Sequence, residues 1–335
     1  MSVTSLDPID LARRSTSAVA AGFPGAVVTN VEQLIGGTSS LTYSADMTHD
    51  GVTSKVVVKA APPGVEPVRN RDVLRQARLL QTLHGAEGIA VPQVFGTDLG
   101  APVDVPPLFV MSFVPGESYE PASGTGKTTA TTEQLRDRAY AAARMAAVLH
   151  KFPVDHPGLG GEPVMGLDAE VGRWAKAFST VADDLRPGAD VTHAKLTKRI
   201  PEPMTPSVLH GDWRLGNMQC NGSSIDAVID WEIWSLSDRR VDLGWFLLNS
   251  DDRHPSTVNH GVMPSRDALV DAYEDACGQK LVDVEWFEAL VRYKQASVTA
   301  LIVKNNRKLP QPGVDPERMA ALIPLLLASA DELLG

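Results

Sequence analysis

The sequence predicts an α+β fold of two lobes, rich in strands at its N-terminal end and mainly helical after it. Three observations predict it. Runs rich in Val, Thr, Ile and Tyr recur between residues 26 and 113, broken by Gly, Ser and Pro. After Thr131, apolar residues return at helical intervals over long stretches. The chain has 335 residues, 43% of them hydrophobic, enough for one large core or two lobes.

The elements follow in order. Residues 7–21 read as a helix, with Leu6, Ile9, Leu11 and Val19 near helical spacing and Asp7-Pro8 supplying a cap and a first-turn proline. Residues 26–35 form a β-rich run that stops at Gly36-Gly37-Thr38-Ser39-Ser40 and resumes over 41–47. Strand, turn of glycines and hydroxyls, strand is the layout of a loop that covers phosphates. Glycine lets backbone N–H groups approach an anion, and the hydroxyls add donors. A plain Gly-Gly hairpin turn explains the same residues. Residues 54–62 are a third strand in which Lys59 follows Val56-Val57-Val58. That lysine either neutralises phosphates, as in Val-Ala-Ile-Lys, or guards a sheet edge. Residues 68–84 read as a helix, 90–96 as a strand and 107–116 as a buried strand ending in Pro115-Gly116.

Gly124-Thr125-Gly126-Lys127-Thr128 resembles the end of a P-loop, but Pro121 stands where its first glycine belongs and no buried strand leads into it. Residues 117–131 therefore read as a flexible loop, followed by a long helix over Glu133–Lys151 that Thr131 or Thr132 caps. Residues 152–205 are rich in Pro and Gly, with one helix expected over 168–184. Asp238 is expected to cap an amphipathic helix, and three more helices are expected over 266–277, 284–309 and 316–334.

The chemistry concentrates in Val208-Leu209-His210-Gly211-Asp212-Trp213-Arg214-Leu215-Gly216-Asn217, continuing through an Asn221-Gly222 turn to Ile229-Asp230-Trp231-Glu232. Four residues separate Asp212 from Asn217, as in the phosphoryl-transfer loop H-R-D-x-x-x-x-N. In that loop the Asp takes the proton of the substrate hydroxyl and the Asn holds a magnesium ion. Asp230, at the end of an apolar strand, would be the second metal ligand.

His210-Gly211-Asp212 with Asn217 and Ile229-Asp230-Trp231-Glu232 resembles the aminoglycoside phosphotransferase / choline kinase family, and most of all the kinase-like domains related to those fused to acyl-CoA dehydrogenases. The resemblance implies a bilobal protein-kinase-like fold, with an antiparallel-sheet N-lobe over 1–113 and a mainly helical C-lobe over 114–335. It implies an ATP-dependent O-phosphotransferase, with GTP as the alternative donor and Mg²⁺ as the metal. On this pattern Gly36, Gly37, Thr38, Ser39, Ser40 and Lys59 hold the triphosphate, and Met111, Ser112 and Phe113 present backbone to the base. Asn217 and Asp230 hold the metal, Asp212 is the catalytic acid–base residue, and Arg214 neutralises the transferring phosphoryl group. Asp242 is expected to be a buried acid bonding the backbone of the catalytic loop. The family's helix glutamate, which orients the strand lysine, is replaced here by Gln76, with Asp72 one turn earlier as a substitute.

Composition narrows the partners. With 31 basic and 41 acidic residues, the chain is a poor fit to nucleic acid, whose phosphates need a basic surface. Two cysteines make no disulfide framework and fit a reducing cytoplasm, and no apolar run reaches the ~20 residues of a membrane span. The acceptor is expected to be a small-molecule hydroxyl. Asp251, Asp252 and Glu285 are the residues that hint at a cationic one, while a hydroxyacyl compound is the rival acceptor. A non-catalytic nucleotide-binding protein is the alternative reading, and oligomeric state is left open.

Overall fold

The computed structural model describes residues 6–34, 40–309 and 315–335. Helix α1 (Pro8–Val19) starts at Asp7, whose carboxylate accepts from the Ile9 N–H at 3.0 Å. Strands β1 (Val27–Gln33), β2 (Leu41–His49) and β3 (Val52–Ala60) follow, then α2 (Val73–Leu83), β4 (Val94–Asp98) and β5 (Leu108–Ser112). The strands make one antiparallel sheet in the order β1-β2-β3-β5-β4. Successive side chains on a strand face opposite sides, and β3 and β5 bury both. Val56, Val58, Leu108 and Val110 pack with Leu11 and Val19 of α1 on one face. Val57, Phe109 and Met111 pack with Leu79, Leu80 and Leu83 of α2 on the other. Helix α1 lies so close to β4 that a Cβ on Gly96 would stand 2.0 Å from the Ala18 carbonyl oxygen.

Helix α2 begins later than periodicity suggested. Residues 69–71 form a single 3₁₀ turn, and the Asp72 carboxylate caps α2 by accepting from the Arg75 N–H at 3.0 Å. Arg75 then ties α2 to the helical lobe, donating to Glu162 at 2.6 Å and to the Trp234 carbonyl at 2.6 Å, with its guanidinium 4.1 Å over the Trp234 ring.

The segment expected as a loop over 117–131 instead carries a short hairpin, β6 (Tyr119–Glu120) with β7 (Thr125–Gly126). It leads into α3 (Thr132–Leu149), where Thr131 and Gln134 form a reciprocal capping box. Helix α4 (Leu167–Phe178) ends before residue 184, where the Ser179 and Thr180 hydroxyls bond carbonyls three residues back. Helix α5 (Ala189–Lys198) was not expected, because it buries only Ala189, Thr192 and Leu196 and so lacks a continuous apolar stripe.

Strands β8 (Ser207–Leu209), β9 (Met218–Asn221), β10 (Ser224–Val228) and β11 (Ser235–Ser237) frame the His210–Glu232 segment. Helix α6 (Arg240–Asn249) is buried from Arg240 to Leu248 and is not amphipathic. Asp238, outside its first turn, accepts from the Arg240 N–H at 3.0 Å and grips the Arg240 guanidinium at 2.7 Å. Helix α7 (Arg266–Cys277) has the predicted bounds, and α8 (Val284–Asn306) is the long central helix against which α4, α6 and the C-terminal helices pack. The last helix divides into α9 (Pro316–Ala320) and α10 (Leu322–Leu334). Pro324 has no N–H and its ring collides with the carbonyl four residues back, at Ala320, which breaks the expected continuous helix. Among the described residues, no helix is long and apolar enough to cross a membrane.

Candidate active site

The segment expected to be catalytic runs from β8 to β9 as a loop whose backbone is held from below. Gly211 has φ +87°, and a Cβ there would stand 2.6 Å from the Ile233 carbonyl oxygen, so the turn after His210 needs glycine. Asp242, fully buried on α6, accepts from the His210 N–H at 2.6 Å and the Gly211 N–H at 2.8 Å. Burial works against its ionised form, but His150, His210 and the backbone donors outweigh that and hold the carboxyl below its usual range. The His210 ring accepts from the Asp212 N–H at 3.1 Å and lies 2.9 Å from the Ile229 carbonyl, which only an Nε2–H can satisfy. One imidazole thus fastens the start of the loop to the residue before Asp230.

The Asp212 carboxylate is contacted on both oxygens. Trp245 Nε1 donates to Oδ1 at 2.6 Å and Asn217 Nδ2 to Oδ2 at 2.7 Å. Arg214 Nε is shared between the two at 3.2 Å each. Burial pushes the Asp212 pKa up, but Arg214, Lys294, His210 and the Asn217 bond overcome it, so the group is held below the ordinary aspartate value. Arg214 also approaches Glu120, 3.6 Å away. Glu120 is buried, and that burial outweighs the Gly216 N–H and Arg214 and raises its pKa to about 7.

Asn217 gives its amide nitrogen to the Asp212 carbonyl and carboxylate, leaving the amide oxygen as its remaining acceptor. Its own carbonyl accepts from the Ile229 N–H at 2.9 Å, so the β9–β10 hairpin returns Asp230 beside it. Asp230 takes a left-handed conformation, φ +66°, which Asp tolerates better than most residues. Its carboxylate lies 3.2 Å from Lys59 Nζ, and its side chain remains 42% exposed.

Lys59 sits on β3, an inner strand of the sheet, and its side chain is buried, so it does not guard an edge. Strand alternation puts it on the face of Val57, which lines the cleft. Its partner is Asp230. Asp72, offered as the substitute for the missing helix glutamate, is occupied as the α2 cap. Gln76 is buried beside Lys59 and Asp230, where its amide nitrogen donates to the Asn70 carbonyl at 3.4 Å.

A cleft of about 290 Å³ gathers most of the expected site. Ser40, Lys59, Met111, Ser112, Phe113, Asn217 and Asp230 line it, with Val57, Pro92 and Ile229 as apolar walls. Gly36, Gly37, Thr38 and Ser39 lie outside the described residues. The Ser112 N–H is taken by the Gln93 carbonyl at 2.8 Å and is not available to a base.

The rejection of a P-loop holds, while the acidic hints change and further residues join the site. Lys127 is exposed beside a two-residue strand, with α3 starting only at Thr132, which is not the strand–loop–helix of a P-loop. Asp251 is paired with Arg253 and Arg292, and Glu285 with Arg266, while Asp252 accepts from the Gly261 N–H. These acids make no open acidic surface for a cation. Sequence reading also gave no role to Trp245, Glu120 or Lys294, which the fold brings to Asp212. Trp245 stood three places after Asp242, one helical turn away, but Glu120 and Lys294 carried no local signal.

Among the described residues, no group of three or more His, Cys, Asp or Glu side chains is placed to hold a metal ion. One carboxylate and one amide oxygen are hard donors that suit Mg²⁺, which keeps several waters and shares phosphate oxygens with few protein ligands.

The comparisons bear on the fold and the family. A candidate aminoglycoside phosphotransferase from Ralstonia eutropha JMP134 matches with 21% identity and a TM-score of 0.73, over 91% of this chain and 92% of its own. Spectinomycin phosphotransferase APH(9)-Ia, solved with ADP and spectinomycin, matches with 11% identity and a TM-score of 0.63, over 98% and 99%. A choline/ethanolamine kinase family protein from Mesorhizobium loti matches with 17% identity and a TM-score of 0.55, over 98% and 95%. At these identities the likeness is one of fold, the bilobal kinase-like α+β architecture expected from the motif. No curated protein matches the chain by sequence. The APH model of the phosphotransferase enzyme family matches residues 30–288 and so takes in most of the sheet, the cleft and the whole His210–Asn217 loop; the chain belongs to that family.

Proposed function

We propose that this chain transfers the γ-phosphoryl group of ATP to a hydroxyl of a small molecule. One observation carries the reading. Asp212 and Asn217 are hydrogen-bonded to each other, and Asn217 shares a cleft with the Lys59–Asp230 pair. On this reading the lobes divide near residue 113. The base lies against Met111, Ser112 and Phe113, and Lys59 with the 36–40 segment takes the triphosphate.

Asp212 is the base. Its carboxylate accepts the acceptor's hydroxyl proton as the acceptor oxygen bonds to the γ-phosphorus and the bond to the β-phosphate oxygen breaks, releasing ADP. A carboxylate held ionised by its neighbours suits this step. Its two shortest contacts, to Trp245 and Asn217, fix its orientation, while the longer, shared contact from Arg214 is the one that yields to the incoming hydroxyl. Arg214 then faces the transferring phosphoryl group, with Glu120 as its second anchor. Mg²⁺, held by the Asn217 amide oxygen and Asp230, would neutralise charge on the phosphates. Preorganised charge of this kind supplies most of the catalysis in phosphoryl transfer.

The internal pairing of Asp251 and Glu285 with arginines favours one second reading of the acceptor, a hydroxyacyl compound instead of a polycationic amine. A non-catalytic nucleotide-binding role rested on the missing helix glutamate, and the Lys59–Asp230 contact supplies that lysine with a partner. The test is a metabolite screen by mass spectrometry for products that gain one phosphate, run beside Asp212→Ala. Turnover that is lost in the variant while ATP binding persists supports the assignment; equal rates reject it.

A further inference from the structure

Helix α6 reaches the catalytic loop twice. Asp242 in its first turn holds the loop backbone, and Trp245, one turn on, holds the loop's acid, its Nε1 lying 2.6 Å from Asp212 Oδ1. Behind the indole stands Lys294 of α8. Its ammonium lies 4.0 Å from the Trp245 ring centroid and 2.6 Å from the Gly211 carbonyl oxygen, and the residue is 3% exposed. A buried ammonium is costly unless its donors are met. Here the Gly211 carbonyl accepts from it and the rings of Trp245 and, at 5.8 Å, Trp174 lie around it; among the described residues no ion pair to a carboxylate is made. The contacts close a ring through Gly211, Lys294, Trp245 and Asp212. A cation over an indole is attracted to its face and strengthens the N–H at its edge as a donor.

We propose that Trp245 and Lys294 are positioning residues for Asp212: the indole N–H fixes one carboxylate oxygen, and Lys294 braces both the indole and the Gly211 carbonyl, so the acid meets the acceptor in one orientation. Trp245 and Asn217 each take one oxygen, which leaves the Arg214 side of the carboxylate as the approach for a hydroxyl. The inference rests on the reading of Asp212 as the base, but its first test does not use activity.

Nitrogen-15 indole labelling of the full chain gives one N–H signal for each of its 6 tryptophans. Trp245→Phe identifies the Trp245 signal by its loss. That signal is expected downfield of the others, moving upfield in Asp212→Ala and shifting in Lys294→Met. A signal indifferent to Asp212→Ala overturns the proposal. The kinetic arm uses phosphoryl transfer to the acceptor found in the screen. Trp245→Phe is expected to lower kcat about 10- to 100-fold, the loss of one charge-assisted hydrogen bond, with the KM for ATP within about twofold. The Nε2 of a histidine overlays the Nε1 of tryptophan, so Trp245→His is expected to recover part of kcat; equal rates in the His and Phe variants overturn the proposal. Should Lys294→Met fail to fold, the Trp245 variants carry the test. Transfer that survives Asp212→Ala would reject the proposed function, and the indole signal would still report whether the contact exists.

Discussion

Asp242 offers a sharp test of how the catalytic loop is held. Its two oxygens accept separate backbone donors, the N–H groups of His210 at 2.6 Å and Gly211 at 2.8 Å, in a fully buried setting. Asp242→Asn keeps the shape but turns one oxygen into an NH₂ group, so one backbone N–H then faces a donor. Hydrogen bonds to a charged acceptor contribute about 1.5–3 kcal/mol each, and an orphaned buried donor costs about 1–3 kcal/mol. The expected loss of stability is about 3–5 kcal/mol, read by urea denaturation at neutral pH. The sign with pH is also fixed. The folded pKa of Asp242 is lowered, so its contribution is present above the unfolded value and is lost as pH falls through the folded one. The gap between wild type and variant should therefore narrow below about pH 4. A gap under about 1 kcal/mol at neutral pH would refute the reasoning, because a loop held by those two bonds cannot lose one so cheaply.

Lys59→Met removes the ammonium while keeping the alkyl stem, and should weaken ATP binding about 10- to 100-fold by calorimetry; an affinity within about twofold of wild type would remove Lys59 from the nucleotide site. Glu120, with a pKa raised to about 7 by burial, should make the native state less stable as pH rises from about 4.5 through 7, since the folded form must give up a proton it holds tightly. Glu120→Gln lacks that penalty, so melts between pH 5 and 8 should show the variant gaining on wild type, by about 3 kcal/mol in full. Parallel curves for the two proteins would show that Glu120 is ionised throughout.

The sequence by itself settled what is local. Asp212, Asn217 and Asp230 lie within nineteen residues on either side of one hairpin, close enough in sequence to be expected together; the structure lines the cleft with Asn217 and Asp230 and bonds Asp212 to Asn217. The strands β3 and β5, the Asp7 cap and the bounds of α7 were legible because each depends on neighbours a few places away. The tertiary structure alone decided the partners. Lys59 meets Asp230 across 171 positions, Lys294 reaches Gly211 across 83, and Glu120 reaches Gly216 across 96. It also decided that Asp72 serves as a cap and that the acids at 251 and 285 are neutralised by arginines. The physical reason is that periodicity and turn chemistry act over a few residues, whereas a hydrogen bond or ion pair depends on distance in space. Those distances exist only once the sheet, α6 and α8 have packed.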